Sequence, residues 1–90
     1  MAERRRRYEV QLVASARREL LKLPARTRVK VADAIRALAT DPRPTGCKKL
    51  AGNADYFRIR VGDYRILYEV RDREILVLVI KIGHRRDVYR

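Results

Sequence analysis

Between Tyr8 and Leu12 the chain alternates with period two. Tyr8, Val10 and Leu12 fall on one side and Glu9 and Gln11 on the other, which predicts a half-buried strand. The period then changes. Ala16, Leu20 and Leu23 recur at helical spacing, with Ser15 in the position of an N-cap and Arg17, Arg18, Glu19 and Lys22 read as the solvent face. Pro24-Ala25 breaks this helix, because proline cannot continue the hydrogen-bond ladder yet starts a new helix well. A second apolar stripe, Val31, Ala34, Ile35 and Leu38, runs to a stop at Asp41-Pro42. The two stripes predict an αα-hairpin lying on a sheet.

After a loop over 43–54, rich in Pro, Gly and Lys, three strand patterns follow. Phe57, Ile59 and Val61 share one side of the first, and Tyr56, Arg58 and Arg60 the other. Gly62-Asp63 has the glycine-first order of a two-residue II′ turn. The next strand separates Tyr64, Ile66, Tyr68 and Val70 from Arg65, Leu67 and Glu69. A turn at 71–73 leads into Glu74-Ile75-Leu76-Val77-Leu78-Val79-Ile80, a continuous apolar run suited to a central strand covered on both faces. The opening strand, leaving through two helices, pairs parallel with this last one by a right-handed crossover. The expected fold is α+β, a two-helix hairpin packed on a four-stranded, mostly antiparallel sheet.

Ninety residues make one domain, 1–90, with residues 1–7 a flexible basic N-terminus carrying Arg4 to Arg7. Folding at this size hides roughly 60–70% of the unfolded surface. With 47% hydrophobic and 38% charged residues the chain is globular in composition. No apolar run reaches the ~18 residues of a membrane span, and no apolar segment follows the arginines as a secretory signal requires. One cysteine, Cys47, permits no internal disulfide and fits a reducing cytoplasm, and one histidine with one cysteine makes no zinc cluster. No metal or other cofactor is expected.

Charge changes the picture most. Twenty-three Lys and Arg against eleven Asp and Glu leave +12, which concentrates polyanions, nucleic acid first among them. Arg58 and Arg60 project from the same side of one strand, Arg65 follows the hairpin turn, and His84, Arg85, Arg86 and Tyr89 close the chain. Arginine keeps its proton and grips phosphate with two parallel hydrogen bonds, and a tyrosine ring gives an unstacked base a platform. Taken singly, each has a plainer reading. Arg58 and Arg60 also suit a solvated strand face, Arg65 a pair with Glu69, His84 an incidental histidine and Tyr89 a frayed end.

Together these segments resemble the RelE/ParE superfamily, the toxin halves of type II toxin–antitoxin pairs. The resemblance is carried by Leu50-Ala51-Gly52, Tyr56-Phe57-Arg58-Ile59-Arg60, Val61-Gly62-Asp63-Tyr64-Arg65-Ile66-Leu67-Tyr68 and Lys81-Ile82-Gly83-His84-Arg85-Arg86-Asp87-Val88-Tyr89. It implies a metal-independent mRNA interferase that cuts messenger RNA in the ribosomal A site. In that chemistry the 2′-hydroxyl attacks its own phosphate, leaving a 2′,3′-cyclic phosphate. By motif position Arg65 and Arg85 form the phosphate clamp, Tyr89 stacks on the base, and Arg58, Arg60, Lys48, Lys49 and Arg86 contact RNA. Some relatives supply a glutamate from the loop before this strand pair, where this chain has Thr45-Gly46-Cys47-Lys48-Lys49. His84 and Tyr89 remain as candidate bases, His84 the first of them near neutral pH and Glu69 a weaker third. The chain stops just after Tyr89, where some relatives continue into a helix.

The expected partners are a cognate antitoxin, messenger RNA and the ribosome, with operator DNA reached only through the antitoxin and no membrane. Two other readings share the fold: a ParE-like toxin that inhibits gyrase without nuclease activity, and a non-catalytic basic RNA-binding domain.

Overall fold

The computed structural model describes residues 7–50, 52 and 55–84; positions 1–6, 51, 53, 54 and 85–90 lie outside it. Strand β1 (Glu9–Leu12) feeds directly into helix α1 (Ala14–Leu21). Ser15 is therefore not the N-cap, a correction with a simple cause. Val13 serves both elements, its N–H donating to the Val79 carbonyl at 3.0 Å while its own carbonyl accepts from Arg17 N at 3.0 Å. Helix α2 (Ala25–Ala37) starts behind Pro24, whose carbonyl accepts the first helical bond from Arg28 N. Rather than running to Pro42, α2 tightens after Ala37 into i→i+3 bonds at Leu38, Ala39 and Thr40.

Three further strands and a short one follow among the described residues: β2 (Lys48–Lys49), β3 (Tyr56–Val61), β4 (Tyr64–Arg71) and β5 (Leu76–His84). The sheet order is β1-β5-β4-β3-β2, with β1 parallel to β5 and every other pair antiparallel. Among the described residues the sheet thus has five strands where the pattern predicted four. The added edge strand is a lysine pair whose backbone, not its side chains, carries the pairing, so no alternation announced it. Gly62 takes φ +60°, and among the described residues the only non-glycine with positive φ is Ile75, so Asp63 stays at negative φ as a II′ turn requires.

The two helices cover one face of the sheet, α1 lying over β5 and α2 over β3. Under them sit Phe57, Ile59, Ile66, Tyr68, Val70, Val77, Val79 and Ile82, closed from above by Ala16, Leu23, Val31, Ile35 and Leu38. Tyr68 is fully buried, and its hydroxyl donates to the Pro42 carbonyl at 2.7 Å, tying the long loop to the core. Burial of the ring is the main cause that pushes its phenol well above the ordinary value.

Strand β5 departs from its expected form in two ways. It begins later, because Asp72–Glu74 form one turn of 3₁₀ helix and Ile75 adopts φ +52°, a left-handed conformation uncommon for a β-branched residue. It is also covered fully on one face only: Val77, Val79 and Ile82 are buried, whereas Leu76, Leu78 and Ile80 are half-buried. The buried positions change parity, 77 and 79 and then 82, because the pairing with β4 slips between Leu67 and Tyr68. Lys81 faces Leu67 and Val79 faces Tyr68, which leaves Ile80 as the extra residue of a β-bulge.

Near the sheet's other end, Arg43 donates to both carboxylate oxygens of Asp72 at 3.3 and 2.8 Å and stacks 5.1 Å over the Phe57 ring. The Tyr8 hydroxyl donates to the same carboxylate at 2.6 Å. These bonds, Arg43's foremost, hold the Asp72 carboxyl below the usual range. A lowered folded-state value means the stabilisation is complete above about pH 4, where the unfolded chain's carboxylate is also ionised. It is lost as pH falls from there through the lowered value. Acid unfolding followed by circular dichroism should therefore show a shallower loss below pH 4 in Asp72→Asn than in the wild type. Equal slopes would mean the contact is too solvent-screened to matter.

Candidate nucleic-acid interface

Cross-strand pairs share a face, so register alone assembles the surface opposite the helices. Arg60 lies directly across from Arg65, Arg58 across from Leu67 and Lys48 across from Arg58. Four cations therefore sit on three adjoining strands, about 5 Å apart between opposed positions and roughly 7 Å apart along a strand. Arg60 and Lys48 are exposed; Arg58 and Arg65 are half-buried. Directly opposed like charges cost stability in a sheet, by roughly 0.2–1 kcal/mol per pair. An arrangement that opposes Arg60 to Arg65 and Lys48 to Arg58 is suited to an anion laid between them.

Among the described residues, Glu69 is the one carboxylate that β3 and β4 place on this face, and it is ion-paired with Arg71 at 3.1 Å. That pair shifts the Arg71 guanidinium further upward. Glu69 also lies four residues along β4 from Arg65, about 13 Å of extended chain. Lys49 does not share the arginine parity: it pairs with Phe57, whose side chain is in the core, and it is exposed at the sheet edge.

His84 is not brought beside Arg65. It pairs with Tyr64, and the two rings meet edge to face with centroids 5.5 Å apart, on the helix side with Ile66 and Ile82. Gly83 is the β5 residue opposite Arg65. The bulge at Ile80 is responsible, since one extra residue turns every later side chain to the other face. Arg85, Arg86 and Tyr89 fall outside the described residues, as do the arginines at positions 4–6; Arg7 is exposed. No group of three or more His, Cys, Asp or Glu among the described residues is placed to hold a metal. Among these residues, too, no helix is long and apolar enough to cross a membrane.

Against known proteins, residues 10–89 match a family model described as the ParE toxin of the type II toxin–antitoxin system parDE. The chain belongs to this toxin family. Within the RelE/ParE superfamily its similarities run to RelE-type members. It is 36% identical over 84 residues to the toxin RelG of Mycobacterium tuberculosis, covering 92% of this chain and 97% of that protein. The toxin–antitoxin complex RelBE2 of the same organism matches with a TM-score of 0.78 at 33% identity, over 96% of this chain and 100% of the other. The archaeal RelE–RelB complex of Pyrococcus horikoshii matches with a TM-score of 0.79 at 26% identity, over 90% and 98%. The chain is a RelE-like toxin of a type II toxin–antitoxin system, and its two helices on a mixed sheet are the RelE arrangement.

One residue escaped the sequence reading. Glu19, assigned to the solvent face of α1, turns inward to β5: Oε1 accepts from the Ile82 backbone N–H at 2.8 Å and Oε2 lies 3.3 Å from Lys81 Nζ. A signal for it exists. Position 19 is three residues from Ala16 and four from Leu23, so it stands inside the apolar stripe.

Proposed function

We propose that this toxin is a metal-independent mRNA interferase that cuts messenger RNA in the ribosomal A site, acting in the cytoplasm and neutralised by a cognate antitoxin. The observation that carries this reading is the opposition of Arg60 to Arg65 on the face that also bears Arg58 and Lys48. The 2′-hydroxyl attacks the adjacent phosphorus, the bond to the 5′-oxygen breaks, and a 2′,3′-cyclic phosphate and a 5′-hydroxyl result. Negative charge grows on the phosphoryl oxygens as this happens, and fixed guanidinium groups aimed at them lower the barrier. In this reading Arg65 and Arg85 clamp the phosphate, and Arg58 and Arg60 attend the attacking and leaving oxygens. Lys48 and Arg86 hold the RNA backbone, Tyr89 stacks on the base, and Lys49, on the other parity at the sheet edge, is left out of the contact.

The general base is assigned to Tyr89 rather than His84. A ring packed on Tyr64 under the sheet is on the wrong side to reach a hydroxyl held by Arg65. Accordingly, His84→Gln should cleave within about threefold of the wild type across pH 6–9, measured on programmed ribosomes. A hundredfold loss would return the imidazole to the mechanism.

Among the solved relatives, RelBE2 of Mycobacterium tuberculosis and RelE–RelB of Pyrococcus horikoshii are toxin–antitoxin complexes. By analogy the antitoxin here is an acidic, amphipathic chain that covers the cationic face, and operator DNA is met only through it. A second reading, a gyrase-directed toxin without nuclease activity, is favoured by the ParE description of the family model. One experiment separates them: primer extension on messages from cells briefly expressing the wild type or Arg65→Ala/Arg85→Ala. Codon-positioned cuts in the wild type alone support the interferase. Intact messages with broken DNA support the gyrase reading, and RNA binding without either result supports a non-catalytic domain.

A further inference from the structure

Beyond Leu12, β1 no longer accompanies β5. The parallel ladder Glu9–Leu12 against Leu76–Val79 closes with the bond from Val13 N to the Val79 carbonyl, and the chain then turns into α1. Strand β5 nevertheless runs on to His84 with β4 on its other edge. Its next backbone donor after the bulge, Ile82 N–H, is taken by Glu19 Oε1 at 2.8 Å. The helix that replaces the strand thus supplies a carboxylate where the strand's carbonyl would have been. Lys81 Nζ, 3.3 Å from Oε2, balances the charge. The bond is charge-assisted and partly buried, the class that holds geometry most firmly.

We propose that Glu19 is a positioning residue for the cleavage site: by pinning Ile82 it keeps Gly83 opposite Arg65 and holds the β5 backbone against which the Arg65 strand is registered. This rests on the interferase reading. Without the bond, β5 past Ile80 is held along one edge only, next to a bulge that has already interrupted the ladder. Displacements of an ångström at such a support are enough to slow a positioned reaction a hundredfold. Glu19 touches neither RNA nor reacting atoms in this account. Its effect is therefore on turnover and not on ribosome binding.

The test is single-turnover cleavage on programmed ribosomes by Glu19→Ala, Glu19→Gln, Glu19→Asp and Lys81→Met, with amide exchange of Ile82 followed by NMR. Glutamine keeps an acceptor at the same reach, whereas aspartate keeps the charge and falls one methylene short. Glu19→Ala and Glu19→Asp should lose 10- to 100-fold in cleavage rate at unchanged half-saturating ribosome concentration, with faster Ile82 exchange. Glu19→Gln and Lys81→Met should stay within about threefold. If Glu19→Ala does not fold, the comparison of Asp with Gln decides, and equal rates for the two overturn the proposal. A wild type that cuts while Glu19→Ala and Glu19→Asp cut equally well overturns the proposal and leaves the interferase reading standing. A wild type that leaves every message intact removes that reading, and the positioning role with it.

Discussion

Arg65→Ala should cut ribosome-bound messenger RNA 100- to 1,000-fold more slowly than the wild type, while its urea midpoint moves by no more than about 1 kcal/mol in stability. The two halves of this expectation come from one feature. Arg65 sits on the open face of β4, directly across from Arg60, and its Cβ supports no part of the core. Removing it relieves a like-charge opposition worth a few tenths of a kcal/mol. It also removes a fixed donor from the position where phosphoryl charge develops, a loss of about 3–4 kcal/mol in barrier terms. Arg65→Lys discriminates further. A lysine keeps the charge but not the planar fork, so an intermediate loss of about tenfold is expected if bidentate grip is what matters. A mutant that is stable and fully active would show that the opposed arginines are a solvated surface and nothing more.

The largest effect on stability should come from Ile66→Ala. Ile66 has no solvent exposure and lies on β4 one residue from Arg65, paired with Ile59 on one side and Ile82 on the other. Truncating it removes three carbons from the middle of the sheet. The cavity is walled by strands that cannot collapse without breaking ladders, so the cost belongs near the upper half of the ~2–5 kcal/mol range for such changes. A domain of this size has only ~5–13 kcal/mol in hand. Urea denaturation should show a much lower midpoint at unchanged m-value, and toxicity should fall at 37 °C because less folded protein is present. Restoration of the midpoint by Ile66→Val to within ~1.5 kcal/mol would tie the effect to lost volume. A small shift in Ile66→Ala would mean that the helices settle onto the sheet more freely than this packing implies.

Much of this molecule could be read along the chain because local rules agreed with one another. Strand periodicity put Phe57 and Ile59 inside and Arg58 and Arg60 outside, and the structure has them so. Gly62-Asp63 set a two-residue hairpin, and once its length is two, the register that opposes Arg60 to Arg65 follows. What was missed lies where an element depends on a distant one. The lysine pair of β2 is a strand only because the edge of β3 accepts it. The Arg43 guanidinium, read as part of an open loop, is held by Asp72, twenty-nine residues away. Glu19 looked like one more charged residue on a charged helix until β5 was laid beneath it.

The sequence by itself determined the two helices, strands β1, β3 and β4 with their buried sides, the parallel return of the last strand to the first and the surplus of positive charge. Those properties depend on side-chain period, turn chemistry and residue count, all of which are local or additive. Only the tertiary structure decided which face His84 occupies. A bulge is one residue of slack in a ladder, and nothing in the composition of Leu78-Val79-Ile80-Lys81 says whether the slack is taken up there. It lies where β5, still paired with β4 on one edge, loses β1 on the other. That single residue turns the imidazole under the sheet toward Tyr64 and sets Gly83 opposite Arg65.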